Sequence, residues 1–151
     1  MLLSWNFLRN KEQTGAEMKR VIDSYYSDLR NCFARNRRVP LSDFTLDEFF
    51  KAVSSIPFKA DKKPIEVVSR PQLLLSGIPL DCKKKSILIC AWARCNGVPY
   101  KLIASSSRED GRFHHVFPML FISHRWLPVD ATYPNSSRLF EKGLHTKEVE
   151  I

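Results

Sequence analysis

Much that would commit a chain to a particular environment is missing here. No apolar run approaches the roughly 18–20 residues needed to span a bilayer, so no transmembrane helix is predicted. The opening Met1-Leu2-Leu3-Ser4-Trp5-Asn6-Phe7-Leu8 is apolar, yet it has no basic leader, no continuous hydrophobic stretch and no small-residue cleavage site. It reads as an anchoring arm or a short first helix, suited to docking on a partner, and not as a signal peptide. The four cysteines, at positions 32, 82, 90 and 95, form no C-x-x-C pair, which excludes a zinc ribbon and a thioredoxin-like motif. With no secretory signal, reduced thiols in a cytoplasmic or similarly reducing compartment are expected. Cys82, His114, His115 and His124 have no metal-ligand spacing, so no metal is expected, and no cofactor motif is present.

Acidic residues are also in deficit, 16 against 24 lysines and arginines, for a net charge of +8. The basic residues are dispersed over Lys19–Arg20, Arg35–Arg38, Lys59–Lys63 and Lys83–Lys85, and they read mainly as solvated faces. No arginine-rich tract interleaves with aromatics and no zinc-finger or RRM signature occurs, so no specific nucleic-acid site is predicted. There is no internal repeat and no low-complexity segment.

What is present is enough for one folded domain of 151 residues with a real core. Met18, Val21, Ile22, Tyr25, Leu29, Cys32 and Phe33 recur at helical spacing and predict a helix over Ala16–Arg35, stopped before Pro40. Thr45-Leu46-Asp47-Glu48 has the capping-box pattern of a second helix start, with Phe49, Phe50, Val53 and Ile56 as its buried face. Pro57–Pro71 reads as a lysine-rich loop with Ile65–Val68 extended. A third helix is predicted over Cys82–Cys95, capped by Asp81 and ended by Asn96-Gly97.

After Gly97 the period changes. Tyr100–Ala104, Arg112–Ile122 and Trp126–Asp130 read as strands, with a polar turn over Ser105–Gly111. Helices followed by an antiparallel sheet predict an α+β fold. The chain divides into an arm at 1–15, a domain at 16–134 and a polar, weakly patterned tail at 135–151.

The chemistry gathers around Cys82. At a helix N-terminus the exposed N–H groups and the helix dipole favour a thiolate. Lys83, Lys84 and Lys85 follow at once, where the dipole already makes the helix end positive. Either they point into water or they break a local rule for a functional reason. A thiolate nucleophile needs a base, and the base needs an orienting partner. If a turn centres on Ser123-His124, antiparallel pairing sets His115 opposite Thr132, with Asp130 one diagonal step away on the same face. His114 then faces the other way. A turn one residue longer reverses that choice and makes His114 the base.

These residues resemble the transglutaminase-like core of the papain-related acyl-transfer enzymes. Asp81-Cys82 opens a helix and Gly97-Val98-Pro99 turns into a strand. His115-Val116-Phe117 and Trp126-Leu127-Pro128-Val129-Asp130-Ala131-Thr132 are similar to the family's second and third blocks. The likeness runs from about Thr45 to Pro134 and includes Arg70-Pro71-Gln72 ahead of the nucleophile. It implies a nucleophile-bearing helix packed on an antiparallel sheet, with Cys82 as nucleophile, His115 as base and acid, and Asp130 orienting His115. It also implies that the Cys82 N–H contributes to an oxyanion hole, with Gln72 a candidate second donor, and that Trp126 packs near the Asp130 strand. The sequence departs from the family at Leu80, where Gly is usual, at Lys84, where an acid is common, and at Ala131, in place of Pro. Pro118 inside the His115 strand suggests an edge or a bulge.

The activity implied is that of a thiol-dependent peptidase or amidase working through an acyl-enzyme on a protein or peptide amide. Transfer of the acyl group to an amine is an alternative, as is a non-enzymatic interaction module of a larger assembly that keeps the fold.

Overall fold

Eleven consecutive residues of one helix, Lys83 through Ala93, are buried, and the rest of the chain is arranged around that helix. In the computed structural model, residues 5–8, 11–34, 38–62, 66–106, 115–133 and 145–148 are described. In chain order the elements are β1 Trp5–Leu8, α1 Lys11–Tyr25, α2 Leu46–Ser54, β2 Glu66–Ser69, α3 Pro71–Leu74, α4 Cys82–Cys95, β3 Tyr100–Ser106, β4 His115–Ile122, β5 Arg125–Pro128 and β6 His145–Glu148. Two 3-10 turns, Tyr26–Arg30 and Leu41–Asp43, join α1 to α2.

The fold is α+β. β5, β4, β3 and β6 form an antiparallel sheet in that order, and β1 pairs antiparallel with β2 in a separate ribbon. Side chains alternate across the sheet, so Leu102 and Leu120 meet α4 in the main core together with Met18, Ile22, Leu29, Phe49 and Val53. Ile103, Phe117 and Met119 form a small separate cluster on the opposite face.

Local chemistry fixes both ends of α4. Asp81 Oδ1 accepts from the Lys84 N–H at 3.0 Å. At the other end Val98 N–H donates to Ala93 O at 2.8 Å and Gly97 N–H to Arg94 O at 3.3 Å, the paired bonds of a Schellman motif. Gly97 has φ +65° there, a conformation that disfavours a Cβ. The Trp92 indole N–H donates to Phe44 O at 2.8 Å and Asn96 Nδ2 to Ser42 O at 3.0 Å, which ties the helix to the 41–43 turn. The Thr45 capping box is complete, with Thr45 N–H on Glu48 Oε1 and Glu48 N–H on Thr45 Oγ1.

Several expectations from sequence need revision. The opening segment is not a helix: Trp5–Leu8 is strand β1. The first helix starts earlier than Ala16 and gives way at Tyr26 to a 3-10 turn, because Asp28 is pulled inward by long-range partners. Its carboxylate accepts Arg70 Nε at 2.9 Å, Arg70 Nη2 at 2.5 Å and Gln72 N–H at 3.1 Å. Phe33 therefore leaves the apolar stripe and is 58% exposed. Phe121 is 38% exposed.

Pro118 marks no bulge, but it does mark a local edge on the β5 side. It lies inside an interior strand whose register against β3 is unbroken. Its carbonyl accepts from Val129 N–H at 2.9 Å, so its nitrogen also faces that side, just past the end of β5. The missing N–H removes one of the two bonds that would have extended β5. The hairpin partner stops at Pro128, two residues short of the expected end, and Asp130 lies in the loop beyond it.

Candidate active site

A two-residue turn sets the geometry. Ser123 and His124 have φ of 54° and 65°, the left-handed pair that suits a tight hairpin. Phe121 then pairs with Trp126 and Met119 with Pro128. Carried past the end of β5, that register sets His115 opposite Thr132. Asp130 lies diagonally within reach, and its Oδ2 is 2.6 Å from His115 Nε2. Asp130 is held from the other side by the Thr132 N–H, which donates to Oδ1 at 3.0 Å.

His115 and Asp130 are both buried. The His115 ring stacks on Phe117 at 5.9 Å between centroids and meets the edge of Tyr133 at 5.0 Å. Burial alone would lower the His115 pKa, but hydrogen bonds with Asp130 and with the Cys82 sulfur outweigh it and push the value up to about 9. Asp130 occupies Nε2. The Cys82 thiol is half-buried at the start of α4.

The structure thus brings Cys82, His115 and Asp130 into one cluster. His114 lies outside the described residues. Gln72 is exposed on α3 with its backbone N–H on Asp28, and no hydrogen bond joins its side chain to the cluster among the described residues. Trp126 is 37% exposed; its ring meets Phe121 at 5.3 Å and lies under Lys101 Nζ at 4.4 Å, apart from the histidine.

The lysine run overturns the solvated-face reading at that site. Lys83, Lys84 and Lys85 are all buried. Lys83 Nζ pairs with Asp81 and lies 3.3 Å from Asp61 Oδ2, and Lys84 Nζ donates to Asp61 Oδ1 at 2.7 Å. The segment carrying Asp61 is fixed to the helix start by Leu80 N–H on Pro57 O at 2.9 Å and Lys59 N–H on Leu80 O at 3.1 Å. Burial raises the Asp81 pKa, with Lys83 opposing that shift. Nothing local in the sequence distinguishes Asp61, one acid in a lysine-rich stretch, and Tyr133 likewise carries no motif.

No helix of the described residues is long and apolar enough to cross a membrane, and among them no group of three or more His, Cys, Asp or Glu could hold a metal ion. No protein-family model matches the sequence, and no curated protein matches it. Among solved structures it is similar to a candidate cysteine protease from Cytophaga hutchinsonii, at 12% identity and a TM-score of 0.49. The match covers 86% of this chain and 42% of that one, so the chain spans less than half of its neighbour's length.

Proposed function

We propose that the chain is a thiol-dependent hydrolase of amide bonds, with Cys82 as nucleophile, His115 as base and acid, and Asp130 as the group that orients His115. The observation that supports this best is the buried His115 ring, engaged at Nε2 by Asp130 at 2.6 Å, with the Cys82 thiol among the groups that raise its pKa.

In this reading the proton of the Cys82–His115 pair resides on His115, whose raised pKa favours the imidazolium, and the thiolate attacks the amide carbonyl. Charge develops on the carbonyl oxygen and is met by the Cys82 N–H, an orphan donor of the first helical turn. The imidazolium gives its proton to the departing amine and leaves a thioester on Cys82. His115 then takes a proton from water, which attacks the thioester and releases the acid. Asp130 keeps the ring in one orientation and stabilises its protonated form throughout.

The test is release of amine from peptide amides by the full chain. Cys82→Ala is expected to abolish it, and Asp130→Asn to reduce kcat/KM by about 10²–10⁴-fold. Joining of a glutamine peptide to a primary amine without release of acid would replace hydrolysis with transamidation. A rate of Cys82 alkylation whose pH dependence is the same in wild type and His115→Ala would remove the activated nucleophile altogether.

A further inference from the structure

Asp61 belongs to a segment that the triad does not use, yet its side chain ends against the first turn of α4. The carboxylate accepts from Lys84 Nζ at 2.7 Å and lies 3.3 Å from Lys83 Nζ. Lys83 also pairs with Asp81 Oδ2, while Asp81 Oδ1 accepts the Lys84 N–H at 3.0 Å. Lys83, Lys84 and Asp81 are buried, and Asp61 exposes only 12% of its side chain. Two carboxylates and two ammonium groups are therefore interleaved at the start of the helix that carries Cys82.

Main-chain contacts fix that approach. Phe58 and Leu80 form a parallel bridge, with Leu80 N–H on Pro57 O and Lys59 N–H on Leu80 O. Asp61 lies three residues beyond Phe58, and Lys83 three beyond Leu80, so the two segments run in the same direction and in step past Cys82. Register thus delivers Asp61 to the lysines.

The helix start has a specific need for this carboxylate. The dipole already makes that end positive, and a buried ammonium needs a counter-charge. Asp81 alone would serve two lysines with one oxygen, because its other oxygen is the cap that holds the first turn. With Asp61 in place each lysine has a carboxylate and the cap stays intact.

We propose that Asp61 is a positioning residue for the nucleophile: it offsets the two buried cations that adjoin Cys82 and clasps the first turn of α4 to the 57–61 segment. The inference rests on the reading of Cys82 as nucleophile. Lys83 and Lys84 directly follow that residue, so an unbalanced charge on them acts on the thiol within the same turn. Loss of Asp61 leaves an excess of positive charge, which favours the thiolate. Loss of Lys84 leaves an excess of negative charge, which opposes it.

The charged groups around this helix start come from several elements. The 57–61 segment brings Asp61, and α4 with its cap brings Asp81, Lys83, Lys84 and Lys85. β4 contributes His115, with Asp130 on its Nε2. From the end of α2 the Ser54 carbonyl accepts from Lys85 at 3.5 Å.

The experiment follows the rate of Cys82 alkylation by iodoacetamide against pH in the full chain, read at that residue by mass spectrometry. Asp61→Asn is expected to lower the midpoint by about half a unit or more, roughly a threefold gain in thiolate at a given pH below it. Lys84→Met is expected to raise it. The double variant of Asp61→Asn with Lys84→Met removes one charge of each sign and is expected to return the midpoint near the wild-type value. Asp61→Glu, which keeps the charge, is expected to leave it there. A clasp that served stability alone would be hurt most in the double variant, and the midpoint would not return. An unchanged midpoint in the folded single variants overturns the proposal, as does a shift of the same sign in both. A double variant no closer to wild type than Asp61→Asn also overturns it. If Asp61→Asn does not fold, the direction of the shift in Lys84→Met decides alone. The readout uses no amide: a chain inert on every amide would defeat the hydrolase reading and leave this coupling in place.

Discussion

His115 has a consequence for stability as well as for chemistry. Its pKa of about 9 in the folded chain lies above the ordinary 6.5, so the folded state binds the proton more tightly than the unfolded one. The stabilisation is therefore complete below about pH 6.5 and is lost as the pH rises through 9. The two values bound it at about 3 kcal/mol, and the ring is too buried for solvent to screen much of that. The Tm of wild type is expected to exceed that of His115→Gln by several degrees at pH 6, with the gap closing by pH 10. A gap that stays constant over that range would mean that the proton on His115 is not linked to folding.

At the scale of elements, α4 is the part most securely specified by its own residues. Asp81 at the start and Gly97 after the end are local signals, and the bonds they predict are those observed. Gly97→Ala would force a Cβ into φ +65°, and a loss of about 1 kcal/mol is expected from urea titration. A neutral outcome would show that the turn can relax at no cost. α1 was less legible. Its apolar stripe is real, but the period says nothing about Asp28, whose bonds to Arg70 and Gln72 convert the expected last turns into a 3-10 turn. Pro118 has a similar limit: sequence shows the lost N–H, while only the sheet shows which neighbour would have used it.

Across the whole molecule, the part-buried Asp28–Arg70 pair links the first helical region to the segment leading into the nucleophile helix, and the Arg70 guanidinium also covers the Tyr25 ring at 4.2 Å. Removing one partner strands the other, so Asp28→Ala is expected to cost about 3 kcal/mol by denaturant unfolding. The double variant with Arg70→Met is expected to recover part of that loss. If the two single losses simply add, the residues do not act as a pair.

The class of fold could be read from the sequence alone because it depends on short-range rules, and Cys82, His115 and Asp130 became candidates through those rules together with the resemblance to the transglutaminase-like core. Helical and strand periods sorted the elements, caps bounded α4, and the parity of a two-residue turn selected His115 and its diagonal partner. What lay beyond those rules was decided by contacts between distant segments. Asp61 buries two of the three lysines, Asp28 unwinds the end of α1, and Trp126 meets Phe121 and Lys101. A charge at a helix start can be solvated or buried with equal local propriety. The choice depends on whether a counter-charge arrives from elsewhere in the chain, and only the tertiary structure supplies it.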